Sequence, residues 1–429
     1  MNGHSKQGCR GAVIQLIAVL RYETLFHFIS YFFIISMNDI RAVFDIGNES
    51  IRAVVFGKDN NKDVVLAKQT EVMQGMRKGK ILDMEAFTST LNKVLDGFIR
   101  KLGGDFIDRV YVGVSHPEMI VNRIVEGKRI MTEEVGDADV EHLSRIVSEI
   151  ALINNYEIIK IVPVAWIIDE QFREKDPIGL KCKKLELQAD VFLIPKNFYN
   201  ALMDIFDKKL GIEIADLIPN ILAASEIVMD YDQKDLGTIL IDIGKNQTSY
   251  VIYEDGFPLG YGTIGLGGEN VTKDISIGMQ VDIKEAEEIK KTTGVVVIDP
   301  STKYETSLDM NFLTEIISAR YEQIFDRINS HLKSLDKDGR LPGGILLLGG
   351  GSKIQHLEYF AKDMFKLAAF YGKDNVVNLG DISNNVQFLN VLGCYYRSQK
   401  YEGEGGRVNF PVNFGKIGTK IKDFFGNLF

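Results

Sequence analysis

Solid apolar runs alternate along this chain with stripes of period 3.6, the pattern of a mixed α/β protein. The run from Ile40 to Ala67 predicts two strands flanking a polar loop, and Arg109–Val114 predicts a further strand. Phe87, Leu91, Val94, Leu95 and Phe98 share one face of a helix predicted over Asp83–Leu102, with Gly103-Gly104 as its stop. Between about Pro117 and Pro195, a helix (Asp137–Leu152) mixes with short strands around Ile158–Ile168 and Glu186–Ile194, enough for a small α+β subdomain. Helices follow over Phe198–Leu210 and Ile221–Met229. The pattern then restarts at Thr238 with a strand, a polar loop and a hairpin turn at Glu254-Asp255-Gly256. Helices over Val271–Ile277, Lys284–Lys291, Phe312–Leu335, Ile354–Leu367 and Asn385–Tyr396 complete the second half.

Two of these hairpins repeat one another. Ile40-Arg-Ala-Val-Phe-Asp45-Ile-Gly47-Asn48-Glu-Ser50 and Ile239-Leu-Ile-Asp242-Ile-Gly244-Lys245-Asn246-Gln-Thr248 each run an apolar strand into Asp-Ile-Gly. Their aspartates are 242 − 45 = 197 residues apart, a domain-sized spacing. A glycine turn, Gly349-Gly350-Gly351-Ser352, leaves a third strand of buried type. At 429 residues the chain is too long for one ordinary core, so two or more domains are expected. The formal charge of −9 argues against general nucleic-acid binding. Cys9, Cys182 and Cys394 have no CxxC spacing and the six histidines form no HExxH, so neither a disulfide framework nor a thiolate or histidine metal site is expected.

The two ends depart from this pattern. Leu25–Ile35 is mostly apolar but short for a bilayer span, with Arg21 and Glu23 just upstream. A signal or anchor is one reading. The favoured one takes Met37, close to the first strand, as the start and residues 1–36 as an unstructured or extraneous extension. At the other end a glycine-rich linker, 401–413, precedes Phe414, Ile417, Ile421, Phe424, Phe425, Leu428 and Phe429, which fall on one helical face. Lys416, Lys420 and Lys422 occupy the remainder, and the charge from residue 407 onward is four basic minus one acidic, +3. Such a helix either packs on its own domain or lies on anionic lipid, and the linker and lysine face favour lipid.

The repeated turns suit a nucleotide triphosphate held between two related domains. Backbone N–H groups of Gly47, Asn48, Gly244 and Asn246 would cradle phosphates, and the hydroxyls of Ser50 and Thr248 would add donors. Asp45 and Asp242 would hold Mg²⁺ through water, since that ion takes one or two carboxylates and keeps its waters. Gly349, Gly350, Gly351 and Ser352 would let the backbone approach the nucleoside. Glu287 and Lys290 either reach the ribose hydroxyls or form a solvated i,i+3 pair.

The order of these parts resembles the actin/Hsp70 superfamily and, within it, the FtsA cell-division proteins. The resemblance covers about residues 38–429 and is carried most specifically by Tyr111-Val-Gly-Val, Glu134-Val-Gly-Asp-Ala-Asp139-Val, Ile161-Val-Pro163 and Asp176-Pro177-Ile-Gly179-Leu, with Gly267-Gly268-Glu-Asn-Val-Thr272 and Glu285-Ala-Glu287 through Lys290. It implies an actin-like ATPase fold of class α/β, two related domains around a nucleotide cleft, binding ATP with Mg²⁺, and Gly268 among the nucleotide contacts. Residues 37–116 and 197–235 would form the first domain (IA), and 117–196 the inserted SHS2 or 1C subdomain. Residues 236–400 would form the second domain (IIA/IIB, with IIB at about 281–330), and 414–429 an amphipathic membrane-targeting helix.

The implied protein is a peripheral adaptor on the cytoplasmic face of the bacterial membrane at the division septum. It would tether the FtsZ C-terminal peptide through IIB, form filaments through 1C, and contact downstream division proteins. Two departures stand out. Lys245 and Gln247 sit where many relatives have Gly-Gly-Gly-Thr, which opens a direct contact of Lys245 with phosphate. The stretch Leu217-Ile-Pro219-Asn220-Ile-Leu-Ala223-Ala224 lacks the acid that hydrolysing relatives such as MreB carry, so ATP hydrolysis is expected to be slow or negligible. The nearest alternative is a PilM-like pilus-assembly adaptor of the same fold. A sugar or acetate kinase would need a catalytic acid that is not evident, and an Hsp70-type chaperone would need a C-terminal peptide-binding domain for which no length remains.

Overall fold

The computed structural model describes residues 38–104, 107–299 and 308–403. Residues 1–36 and the helix expected over 414–429 lie outside them. The described residues form two compact units, one from within 38–119 and 195–396, the other from 120–194 and 397–403.

In the first unit, β1 (Asn38–Ile46), β2 (Ser50–Asp59) and β3 (Lys62–Val72) form a meander where the apolar pattern predicts only a hairpin. The third strand is hard to see because β3 is an edge strand, mixing exposed polar residues among half-buried ones. A two-residue ladder of β4 (Met76–Arg77) and β5 (Lys80–Ile81) follows, then helix α1 (Met84–Leu102). Asp83 caps α1 by accepting from the N–H groups of Glu85 and Ala86, and Gly103 ends it at φ 76. Its stripe of Phe87, Leu91, Val94 and Phe98 is buried. Phe98 and Phe206 both meet the Phe44 ring edge-on, at centroid distances of 6.1 and 6.0 Å. Strand β6 (Arg109–Val114) pairs in parallel with β1.

The second unit is inserted here. Strands β7 (Ile120–Arg129), β8 (Tyr156–Ile168), β9 (Phe172–Glu174) and β10 (Lys184–Pro195) make a sheet in the order β7-β10-β8-β9, with α2 (Asp137–Ile150) between β7 and β8. Its core holds Val140, Leu143 and Val147 of α2 with Trp166, Leu185 and Leu187. Ile120 pairs with Leu193 in the β7–β10 ladder, so the insert begins and ends side by side. Two of the sequence motifs are structural here. Asp139 accepts from the Gly136 N–H at the start of α2, and Val135 exchanges backbone hydrogen bonds with Gly179 and Leu180.

Back in the first unit, α3 (Lys196–Met203) continues as a π-helix over Asp204–Leu210, a change of winding inside the single helix the periodicity predicts. Strand β11 (Glu213–Pro219) then pairs in parallel with β6, and α4 (Asn220–Val228) and α5 (Tyr231–Leu236) lead to the second sheet. This consists of β12 (Thr238–Ile243), β13 (Thr248–Glu254), β14 (Phe257–Ile264), β15 (Gly344–Leu348) and β16 (Ala369–Tyr371). The two sheets run β11-β6-β1-β2-β3 and β16-β15-β12-β13-β14, the same connectivity twice. The central strands are buried on both faces, which explains their unbroken apolar runs.

Helices α6 (Gly268–Met279), α7 (Ile283–Thr292), α8 (Met310–Ser334) and α9 (Leu357–Phe365) cover the second sheet. Ile317, Tyr321, Ile324, Phe325 and Ile328 of α8 supply much of the core there. The last helix, α10 (Leu389–Gly403), runs on past Tyr396 into the first residues expected to be linker. Among the described residues no helix is long and apolar enough to cross a membrane.

Candidate functional site

Register places the two aspartates equivalently. Asp45 faces Arg52 across the first hairpin and Asp242 faces Ser249 across the second. Ile46 pairs with Ile51 and Ile243 with Thr248, so both loops contain four residues. The turn of each closes alike, with Gly47 N donating to Ser50 O at 3.1 Å and Gly244 N to Gln247 O at 2.8 Å. Structurally, then, Asn48 matches Lys245, Glu49 matches Asn246, and Ser50 matches Gln247. The residue types alone suggest pairing the two asparagines and the two hydroxyls, a register one residue off.

This shift accounts for where several expected ligands lie. Asp45, Gly47, Asn48, Asp242, Gly244, Lys245, Asn246, Gly268, Glu287, Lys290, Gly349, Gly350 and Gly351 all line one cavity of about 850 Å³ in the first unit. Ser50, Thr248 and Ser352 are not among its lining residues. Thr248 begins β13 and donates its hydroxyl to Leu266 O, and Ser352 donates to Gly349 O within the glycine turn. Ser50 is buried at the start of β2. The N–H groups of Gly47 and Gly244 are committed to closing their own turns, and that of Gly268 donates to Gly244 O at 3.0 Å. The start of α6 thus pins the second loop, with Glu269 N adding a bond to Lys245 O at 2.8 Å. A Cβ on Gly267 would lie 2.5 Å from Gly244 O, so glycine there permits the contact.

The aspartates are coupled. Asn220 at the start of α4 donates to Asp45 Oδ1 at 2.7 Å. Gly113 opposite makes room for it, since a Cβ there would fall 2.3 Å from Asn220 Oδ1. Asn390 of α10 reaches Asp242 Oδ2 at 3.4 Å, and Arg52 Nη1 lies 3.7 Å from Asp45. Burial pushes the Asp45 carboxyl above its usual range despite these partners. Burial and then the charge of Asp45 push Asp242 up to about 6. Asn220, Asn390 and Arg52 carry no motif, and only their place in the fold discloses them.

The first loop is braced from behind. Asn48 Oδ1 accepts from Gly79 N at 2.8 Å, and Gly79 O lies 3.0 Å from His116 Nε2. Because His116 Nδ1 accepts from Glu118 N, the ring is neutral with its proton on Nε2, and burial lowers its pKa.

On the other wall, Glu287 and Lys290 are part of a half-buried network rather than a solvated pair. Lys290 Nζ meets Glu287 Oε2 at 2.7 Å, Thr272 Oγ1 at 2.8 Å and Gly268 O at 3.2 Å. Burial opposes the charge on Glu287, but donors from Lys290 and Thr272 outweigh it and hold the carboxyl at about 2. Burial lowers Lys290. Tyr321 of α8 donates to Gly351 O at 2.5 Å, tying the glycine turn to the same wall.

Comparison with known proteins places these parts in one family. The family model described as "Cell division protein FtsA" matches residues 239–393, and "SHS2 domain inserted in FTSA" matches residues 118–193. The Cell division protein FtsA of Bacillus subtilis (strain 168) is 26% identical over 394 residues, covering 87% of each chain. Among solved structures, the PilM-PilN type IV pilus biogenesis complex aligns with TM-score 0.62 at 16% identity, covering 83% of this chain and 98% of that one. MreB5 of Spiroplasma citri bound to AMPPNP aligns with TM-score 0.50 at 14% identity, covering 85% and 98%. These two likenesses establish the actin-like fold. With both family models and a relative matched along most of its length, the chain belongs to the FtsA family of bacterial cell-division proteins, with the SHS2 domain as its insert.

Proposed function

We propose that this chain binds ATP with Mg²⁺ and acts at the division septum as a peripheral adaptor on the cytoplasmic face of the membrane, tethering FtsZ there. The observation that carries the reading is the delivery of Asp45 and Asp242, from equivalent hairpins, into one cavity. That cavity has room for a nucleotide. The donor set fits Mg²⁺. Two coupled carboxylates face the cleft, and no group of three or more metal-ligating acids, histidines or cysteines exists among the described residues. Bound there through water, Mg²⁺ would neutralise phosphate charge. The glycine turn, Lys290 and Glu287 would hold the nucleoside end, and Asn48, Lys245 and Asn246 the phosphates.

Slow or negligible hydrolysis follows from the lining acids. Glu269 is held by Asn246 and Lys273, and Glu287 by Lys290 and Thr272, which leaves neither to orient a water. Asn220, a neutral amide committed to Asp45, cannot serve as a base. Turnover well below about 1 s⁻¹ is expected.

The remaining parts of the proposal rest on family membership and on sequence. The insert would make filament contacts and meet downstream division proteins. The 281–330 region would dock the FtsZ C-terminal peptide, and residues 414–429 would lie on anionic lipid. Co-sedimentation with anionic liposomes, ATP and the FtsZ peptide tests this reading. The full chain should pellet with both, and removal of residues 407–429 should leave it in the supernatant with ATP affinity intact. Retention on liposomes without the tail would favour a PilM-like mode of action.

A further inference from the structure

The two phosphate loops touch through one ion pair. Lys245 Nζ, on the second loop, meets Glu49 Oε2, on the first, at 2.5 Å. Both residues line the cavity, and both remain substantially exposed, at 40% and 54% of the side chain. An ion pair this open to water contributes little by itself. A phosphate is the stronger partner for an ammonium, because it carries more charge and offers several acceptor oxygens.

The neighbouring groups leave Lys245 as the cation that the loops themselves offer. Arg52 lies against Asp45, and Lys290 is bound to Glu287, Thr272 and Gly268 O. The other acid at the loops is held back. Glu269 accepts from Asn246, pairs with Lys273 at 3.3 Å, and lies 3.9 Å from Arg77 of β4. Glu49 has no second cation among the described ion pairs and feels Lys290 only from beyond contact, so Lys245 is its one direct partner when phosphate charge beside it repels it.

Resting on the nucleotide reading above, we propose that Glu49 and Lys245 form a charge-exchange switch. In it Glu49 competes with the terminal phosphate for Lys245, so that this pair sets the preference of the cleft for a nucleoside triphosphate over the diphosphate. A diphosphate lacks the group that displaces Glu49, and the ion pair then persists across the loops. With a triphosphate, Lys245 turns to the ligand and the Glu49 contact is released.

The test is a double-mutant cycle on the full chain with Mg²⁺, reading the Kd of ATP and of ADP by competition against a fluorescent ATP analogue. Lys245→Ala should weaken ATP by about tenfold or more and ADP by less than about threefold, whereas Lys245→Arg should keep the preference. Glu49→Gln should tighten ATP by about threefold and leave ADP unchanged. In the Lys245→Ala background the Glu49→Gln gain should fall well below threefold, to the part that comes from relieved repulsion of phosphate. Equal losses of ATP and ADP in Lys245→Ala, or additive effects in the double variant, overturn the switch while leaving nucleotide binding in place. Failure of the unaltered chain to bind either nucleotide overturns the reading beneath it instead.

Discussion

Holding Asp242 beside Asp45 costs folding free energy at neutral pH, because lost hydration and the neighbouring negative charge both disfavour its ionised form. The sign follows from the shift. Asp242 titrates at about 6 in the fold against 3.8 in the unfolded chain, so between those values the native state binds more protons. Its contribution therefore favours the fold increasingly as pH falls from about 6 toward 4, and opposes it above. Asp242→Asn should raise the stability of nucleotide-free protein at pH 7.5 by about 2 kcal/mol, seen as a higher melting temperature. The gain should shrink at pH 5. The same variant should lose Mg²⁺-dependent nucleotide binding, because a neutral amide offers no charge to a cation. A lower melting temperature for Asp242→Asn at pH 7.5 would mean that the carboxylate is net stabilising and that partners compensate its burial.

At the scale of elements, whatever the apolar period controls was legible in the sequence. The helix from Asp83 to Leu102 is visible because stripe, cap and stop agree, and the structure places α1 over Met84–Leu102. The edge strands β3, β7, β11 and β16 and the short β9 were not, because an edge carries few buried positions to set a period. Both Asp-Ile-Gly loops were legible as a repeat, yet the correspondence of residues within them was not. Loop positions are fixed by hairpin register, and the Ile46–Ile51 and Ile243–Thr248 pairs fall beyond reach of residue type. The glycine turn after β15 shows where local chemistry does decide. Gly349 sits at φ 85, and a Cβ there would lie 2.3 Å from Asp242 Oδ1 and 2.4 Å from Ile243 O. Gly350 has nothing within 4 Å of a built Cβ. Gly349→Ala should therefore destabilise the protein by about 1–3 kcal/mol in denaturant titration and disturb the cleft, while Gly350→Ala should change stability little. Similar losses for both would show that the turn relaxes and that the crowding at Gly349 is not limiting.

At the scale of the whole molecule, the insert has what a separate folding unit needs. Its core is its own, closed by α2 against the β7-β10-β8-β9 sheet, and its two chain ends leave from the paired residues Ile120 and Leu193. Inside it Arg123 grips the buried Asp190 through two bonds of 2.8 Å, and Lys128 holds Asp139 at 2.6 Å, both pairs contained within the insert. The chain has a single tryptophan, and Trp166 lies in this core, so its emission reports on the insert alone. A fragment of residues 120–194 should fold in isolation, with blue-shifted Trp166 fluorescence lost in one cooperative denaturant transition. The complementary protein, with residues 120–194 replaced by a short linker, should retain nucleotide affinity within about twofold, since every residue lining the cleft belongs to the first unit. Filament formation by that shortened protein under ATP would remove the insert from the assembly role assigned to it, and loss of nucleotide binding would show that the cleft depends on a unit that contributes none of its walls.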